Sequence, residues 1–162
     1  MDRPELMAIV IAFLLLLLAL MVVGWQARKR RQSGVAKPAA PPEERGAVLG
    51  TFDGKYVATT AVGNKLDRIA VHGLGFRGFA AVEVTENGVL VQIDGADDFW
   101  IPRADLRAHS KATWTIDRVV EQDGLELLEW SLGDRLVESY FRFDDWMDFE
   151  FAVDSLIERT AA

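Results

Sequence analysis

The sequence predicts a mainly β domain with one C-terminal α-helix, preceded by a single transmembrane helix. Three patterns support this class. An uncharged apolar run of twenty residues, Leu6 to Trp25, precedes a basic cluster. From Gly46 onward, short alternating apolar runs are separated by turn residues, as in antiparallel sheets. From Asp145 the apolar residues recur at helical spacing. We therefore divide the chain into an anchor (1–27), a linker (28–45) and a domain (46–162).

The apolar run is long enough to cross a bilayer. Twenty helical residues at 1.5 Å each span roughly 30 Å, which is the thickness of the hydrocarbon core. Trp25 then falls at the interface, where indole rings are enriched. A cleaved signal peptide is the alternative, but its apolar region usually has only about 7 to 15 residues. The pattern favours a retained helix.

The basic cluster predicts the direction of insertion. Arg28, Lys29, Arg30 and Arg31 directly follow the apolar run. Basic residues resist translocation, so we expect a plasma-membrane protein with its N-terminus outside and its domain in the cytoplasm. The same charges can contact anionic lipid, at about 1 kcal/mol each.

The linker contains three prolines within five residues, in the run QSGVAKPAAPPEER from 32 to 45. Proline favours extended backbone that lacks regular pairing, and the run has no apolar periodicity. We interpret it as a semi-rigid spacer.

Two hairpins are the clearest signals inside the domain. Strands are predicted over 79–85 and 89–93, with Asn87-Gly88 in the turn between them. A second pair covers 125–132 and 135–143 around Gly133-Asp134. Further strands are expected over 55–62 and 118–122, the latter turning at Asp123-Gly124.

The C-terminal helix has a core stripe and two apolar residues beside it. Asp144 or Asp145 is suited to cap its first turn, and the stripe consists of Trp146, Phe149, Val153, Leu156 and Ile157. Met147 and Phe151 lie off this stripe. They form either a small exposed apolar spot or extra buried surface.

Charge separates the domain into two parts. Residues 46–80 contain the basic Lys55, Lys65, Arg68 and Arg77 against two carboxylates, whereas residues 81–162 contain seven basic and 19 acidic residues. This acidic surface would repel a phosphate backbone, so we expect no nucleic-acid binding. The chain has no cysteine and therefore no disulfide or thiolate chemistry.

The motifs that resemble catalytic or cofactor sites lack the required context. The glycines at 73, 75 and 78 have dinucleotide-loop spacing, but a strand rather than a helix is predicted after them. His72 and His109 have no neighbouring ligand residues in sequence, and Asp94 to Asp98 lacks the full calcium-loop series. We expect these residues to form turns or to have structural roles. We expect the protein to bind no cofactor and no metal and to have no enzymatic activity.

Several separated segments resemble one family. They are KYVATT at 55–60, LDRIAVHGLG at 66–75, GVLV at 88–91, Ile101-Pro102 and LGDRL at 132–136. They are similar to membrane-anchored pleckstrin-homology (PH)-like domain proteins of actinobacteria, often called transporters or export or membrane proteins. This resemblance implies a PH-like roll of two antiparallel sheets closed by a C-terminal helix, and it identifies no catalytic or ligand residues.

These observations together predict a non-enzymatic binding or scaffold module that engages a cytoplasmic protein near the membrane. The alternatives are a membrane-surface or lipid-sensing module and an accessory subunit of a membrane transport complex. Six side chains are candidate surface contacts: Lys55, Lys65, Arg68, Arg77, Met147 and Phe151. The small-molecule ligand, where one exists, is not indicated by the sequence.

Overall fold

The N-terminal unit, which ends at Gly34, is built on one apolar helix. The computed structural model describes residues 3–115, 118–119 and 124–161. Helix α1 runs from Arg3 to Arg31. Its segment Arg3–Ala27 is long and apolar enough to cross a membrane. A signal sequence near an N-terminus meets the same criteria of length and composition.

The second unit extends from Val35 to Ala162 and contains the strands. Its last element, helix α2, covers Trp146–Ala161. The strands are β1 (Val48–Ala61), β2 (Asn64–Arg68), β3 (Gly78–Thr85), β4 (Gly88–Ile93), β5 (Phe99–Pro102), β6 (Leu106–Ala112), β7 (Trp114–Thr115), β8 (Arg118–Val119), β9 (Leu125–Leu132) and β10 (Arg135–Phe143).

Strand β1 joins two halves of one antiparallel sheet. The described strands follow the order β5-β4-β3-β1-β10-β9-β6, with β2 paired to β1 and β7 paired to β8. The first part of β1 pairs with β3 and the second with β10, and both pairings include Gly54. A Cβ at Gly54 would lie 2.4 Å from the Arg142 carbonyl oxygen. Only glycine therefore fits where β1 exchanges partners.

Helix α2 closes the core between the two halves. Phe149, Val153 and Leu156 are buried as the helical period predicts. The Phe149 ring packs 4.4 Å from that of Phe143 at the end of β10. Trp146 departs from the prediction because it remains 41% exposed, with its indole lying beside a lysine of β6.

Both predicted hairpins are confirmed, since β3 pairs with β4 and β9 with β10. Gly88, which the prediction placed in the first turn, instead begins β4 opposite Thr85. Strand β1 begins at Val48 rather than at Lys55. The strand expected over 118–122 is described only at Arg118–Val119, and the remainder, with Asp123, lies outside the described residues.

The compact domain begins at Val35, eleven residues before the predicted start. Val35 is buried in the main core. Further along, the Trp100 N–H donates to the Ala39 carbonyl oxygen at 2.9 Å. Proline-bearing backbone without regular periodicity can still lie against a sheet through its carbonyls, and here part of the predicted spacer does so.

A chain of buried hydrogen bonds crosses the core. The Trp130 indole N–H donates to Ser139 Oγ at 2.9 Å. Ser139 Oγ lies 2.6 Å from Thr59 Oγ1, which lies 2.7 Å from the Tyr56 hydroxyl. Tyr56 in turn donates to the Leu74 carbonyl oxygen at 3.0 Å. This hydroxyl chain satisfies polar groups that would otherwise be costly inside an apolar core.

We predict that Ser139→Ala lowers the free energy of unfolding by about 1–3 kcal/mol, because it leaves the buried Trp130 N–H and Thr59 hydroxyl without their shared partner. Urea denaturation of the detergent-solubilised chain, followed by circular dichroism, measures this difference. Ser110→Ala, at an exposed position of β6, is the matched control and should be nearly neutral. Equal stabilities of the two variants would contradict the role of the hydroxyl chain.

Candidate functional site

Two apolar side chains of α2 point to solvent. Met147 is 66% exposed and Phe151 is 79% exposed. Their spacing of four residues places them one turn apart on the same side of the helix. Of the two outcomes that the sequence left open, the structure shows the exposed one. Exposed apolar surface gains about 25 cal/mol per Å² when a partner covers it, so this side of α2 favours contact with another molecule.

Carboxylates surround this apolar pair. The side chains line an open depression of about 450 Å³ and are Met147, Glu150, Phe151, Asp154, Ser155 and Glu158. We call these six residues the α2 face. Apolar centre and acidic rim together are complementary to an apolar surface that is bordered by basic groups.

Lys111 of β6 fastens the start of α2 to the sheet. Its ammonium nitrogen lies 2.8 Å from Glu150 Oε2 and 3.7 Å from the centre of the Trp146 ring. The hydrogen bond from Lys111 lowers the pKa of Glu150, which therefore stays ionised. A cation above an indole face adds further attraction. These contacts hold the first turns of α2, and with them the α2 face, in place.

His109 fastens the next turn of α2. Its Nε2 lies 2.5 Å from Glu126 Oε2 on β9, and its Nδ1 lies 3.1 Å from Asp154 Oδ1 on α2. The side chains of His109 and Glu126 are buried, whereas that of Asp154 is half exposed. The Phe149 ring contacts the imidazole at a centroid distance of 5.9 Å. A protonated imidazole donates to both carboxylates, so β6, β9 and α2 meet at one ionic cluster.

The cluster of His109, Glu126 and Asp154 has a structural role. Over the described part of the chain, no group of three or more histidine, cysteine or acidic residues is arranged to hold a metal ion. The cluster instead neutralises Glu126, whose burial as an unpaired charge would be expensive.

A second concave surface lies where β1 exchanges partners. It encloses about 640 Å³ and is lined by Asp53, Gly54, Lys55, Phe79, Ala80, Ala81, Asp94, Arg142 and Asp144. Lys55 sits opposite Arg142 on one side and Phe79 on the other. Its ammonium lies 5.1 Å from the centre of the Phe79 ring. Because three carboxylates accompany the two cations, this groove lacks the strong positive charge that favours a phosphorylated headgroup.

Two other cations that the sequence singled out, Arg68 and Arg77, differ in their exposure to solvent. Arg68 Nη2 donates to the carbonyl oxygens of Val57, at 3.3 Å, and Gly75, at 3.0 Å. Burial lowers the pKa of Arg68, and the nearby charge of Arg77 lowers it further. Arg68 thus holds β2 against the loop before β3, while Arg77 is exposed on that loop.

The predicted topogenic cluster forms the last turn of α1, over Arg28–Arg31. Arg30 and Arg31 are exposed, and the side chains of Arg28 and Lys29 lie outside the described ones. The residues 94–98 form a turn before β5, as predicted. Gly73 adopts a left-handed φ of 82° in the loop between β2 and β3, consistent with the expected tight loop.

Sequence reasoning missed two features. The partners of His109 are 17 and 45 residues away in sequence, so no spacing rule identifies them. Exposed Leu66, Phe76 and Phe79 were also not singled out. For Phe79 a signal was present, because it is out of phase with the inward-facing Val82 in the two-residue period of β3.

An antiparallel sheet with two halves that share one strand, closed by a C-terminal helix, defines a PH-like domain, a class that generally acts by binding rather than by catalysis. The family model of bacterial PH domain-like proteins matches residues 35–156. The chain therefore belongs to the bacterial PH domain-like family. No curated protein matches it.

The pKa of His109 is set by opposing effects. Desolvation of the ring lowers it, but hydrogen bonds and charges from Glu126 and Asp154 outweigh this effect and raise the pKa above the ordinary value of 6.5. A histidine whose pKa is raised by folding stabilises the native state fully below its unfolded pKa. That contribution is lost as the pH rises through the folded pKa.

We predict that the free energy of unfolding falls as the pH rises from about 6.5, the pKa of an unfolded histidine, through the raised pKa of folded His109, where the proton that links Glu126 and Asp154 is lost. Urea unfolding across this range measures the slope. His109→Gln should flatten it, and His72→Gln, which alters the other histidine, should leave it unchanged. A slope that persists undiminished in His109→Gln would contradict the assignment.

Proposed function

We propose that this protein is a single-pass, membrane-anchored PH-like binding module without catalytic activity, which engages a protein partner at the cytoplasmic face of the plasma membrane. The observation that carries the proposal is the α2 face. Met147 and Phe151 are exposed on a helix that Lys111 and His109 fasten to the sheet. A rigid apolar surface can bind without a large cost of ordering.

Charge supports a protein rather than a lipid at this face. Glu150, Asp154 and Glu158 surround the apolar pair. Glu150 and Asp154 already pair with Lys111 and His109, so Glu158 and the acidic excess of residues 81–162 disfavour anionic lipid at this face. A protein surface with an apolar centre and lysine or arginine around it is complementary.

The anchor supports a location beside the bilayer. Helix α1 has the length and composition of a membrane span, and its last turn is basic. An accessory role in a transport complex is one form of this function. The uncharged run from Leu6 to Trp25 offers no intramembrane polar group with which a single helix could line a pathway by itself.

We predict that a photoreactive phenylalanine analogue in place of Phe151 forms one crosslinked adduct of defined mass in the native membrane. The same analogue at Val48, which is also exposed, should give no adduct. Glu158→Lys should reduce the Phe151 adduct by about tenfold, because it reverses a charge of the acidic rim.

Glu44→Lys is the matched control for that charge reversal, since Glu44 is exposed and lies outside the α2 face. It should leave the adduct unchanged. Equal crosslinking from positions 48 and 151, or an adduct insensitive to Glu158→Lys, would overturn the assignment of this face.

We also predict that an epitope tag at the C-terminus resists protease added to intact cells and is digested once the membrane is permeabilised. The reason is that the Arg28–Arg31 cluster resists translocation. An exported protein with the same tag controls for protease activity. Digestion of the tag in intact cells would overturn the cytoplasmic location.

A further inference from the structure

A second exposed apolar surface lies on β2 and on the loop before β3. Leu66 is 68% exposed and Phe76 is 55% exposed. Each is adjacent in sequence to a cation, Lys65 or Arg77. We call these four residues the loop patch. The Arg68 guanidinium donates to the Gly75 carbonyl oxygen at 3.0 Å and so joins the strand that carries Leu66 to the loop that carries Phe76.

The loop patch differs from the α2 face in charge. Residues 46–80 contain four basic and two acidic side chains, whereas the remainder of the domain is strongly acidic. Asp67, which follows Leu66, is also exposed, so one carboxylate accompanies the two cations of the patch. Apolar residues flanked by cations are suited to the interfacial region of an anionic bilayer, which the α2 face would avoid.

The chain enters the domain beside this patch. The Val35 carbonyl oxygen lies 2.9 Å from His72 Nε2, four residues before Phe76. Ala27, at the end of the candidate span, precedes Val35 by eight residues. Even fully extended, eight residues reach at most about 29 Å. Covalent connection therefore keeps Val35, the residue that contacts His72, within that distance of Ala27.

The loop is held in a fixed shape before any contact with lipid. Leu74 is fully buried and its carbonyl accepts from Tyr56 at 3.0 Å. The Phe76 N–H donates to the Gly73 carbonyl oxygen at 3.1 Å. His72 adopts a left-handed φ of 57°, which its contact with Val35 helps to hold. Such preorganisation lowers the cost of docking.

We propose that the loop patch docks on anionic lipid of the same bilayer that holds the anchor, with Leu66 and Phe76 in the interfacial region and Lys65 and Arg77 at the headgroups. This docking goes beyond the proposed function, because it uses a different surface and requires no protein partner. It holds on whichever side of the bilayer the domain resides, since the tether and the patch lie on the same side.

The experiment uses the purified full chain in lipid nanodiscs. Because the sequence has no cysteine, Phe76→Cys provides one labelling site for an environment-sensitive fluorophore, and Val48→Cys provides an exposed control. The discs contain phosphatidylcholine alone or with about 30 mol% phosphatidylglycerol, together with lipid that carries a quencher below the headgroup. We expect about threefold stronger quenching at position 76 than at position 48 in the anionic discs.

Charge reversals test the cations. Adding Arg77→Glu to the Phe76→Cys chain should reduce quenching to the level of position 48, whereas Arg135→Glu, at another exposed arginine, should leave it unchanged. Circular dichroism verifies that each labelled chain is folded. Equal quenching at positions 76 and 48 in anionic discs would overturn the docking.

Quenching at position 76 that is equally strong in phosphatidylcholine alone would overturn the requirement for anionic lipid. These outcomes are independent of the proposed protein partner, because none is present in the discs and the α2 face is unaltered.

Discussion

The buried hydroxyl chain from Trp130 to Leu74 is the interaction on which the arrangement of the domain depends. It connects β9 and β10 to β1 through Ser139 and Thr59, and then continues through Tyr56 to the loop before β3. Apolar packing alone is non-directional and tolerates sliding of one strand past another. Hydrogen bonds between four buried groups fix one register, and so they also fix where the exposed loop residues lie.

The parts of the fold that depend on local pattern could be predicted from the sequence. Both hairpins and the core residues Phe149 and Val153 of α2 follow from turn chemistry and periodicity. The early start of β1 could not be predicted, because Gly50, Asp53 and Gly54 are residues typical of turns. At Gly54 the close approach of β10, rather than a turn, requires glycine. This tertiary requirement leaves no local signal.

The candidate sites likewise combine features that the local sequence pattern predicts with features that depend on the tertiary fold. The apolar character of Met147 and Phe151 was visible from the helical period, but their exposure depends on which side of α2 meets the sheet. The His109 cluster is assembled from three elements, so its partners appear only in the folded chain. Two exposed apolar surfaces of opposite charge result. A domain with this division can face two different environments at once.

The prolines near the start of the domain have one more consequence. Among the described strands β5 ends the sheet, and Ala39 forms a bridge to its Trp100. Pro38, Pro41 and Pro42 flank this bridge and present no N–H outward, so another extended segment finds few donors there. Edge-to-edge pairing of two copies through this border is thereby disfavoured, and with it amyloid-like growth.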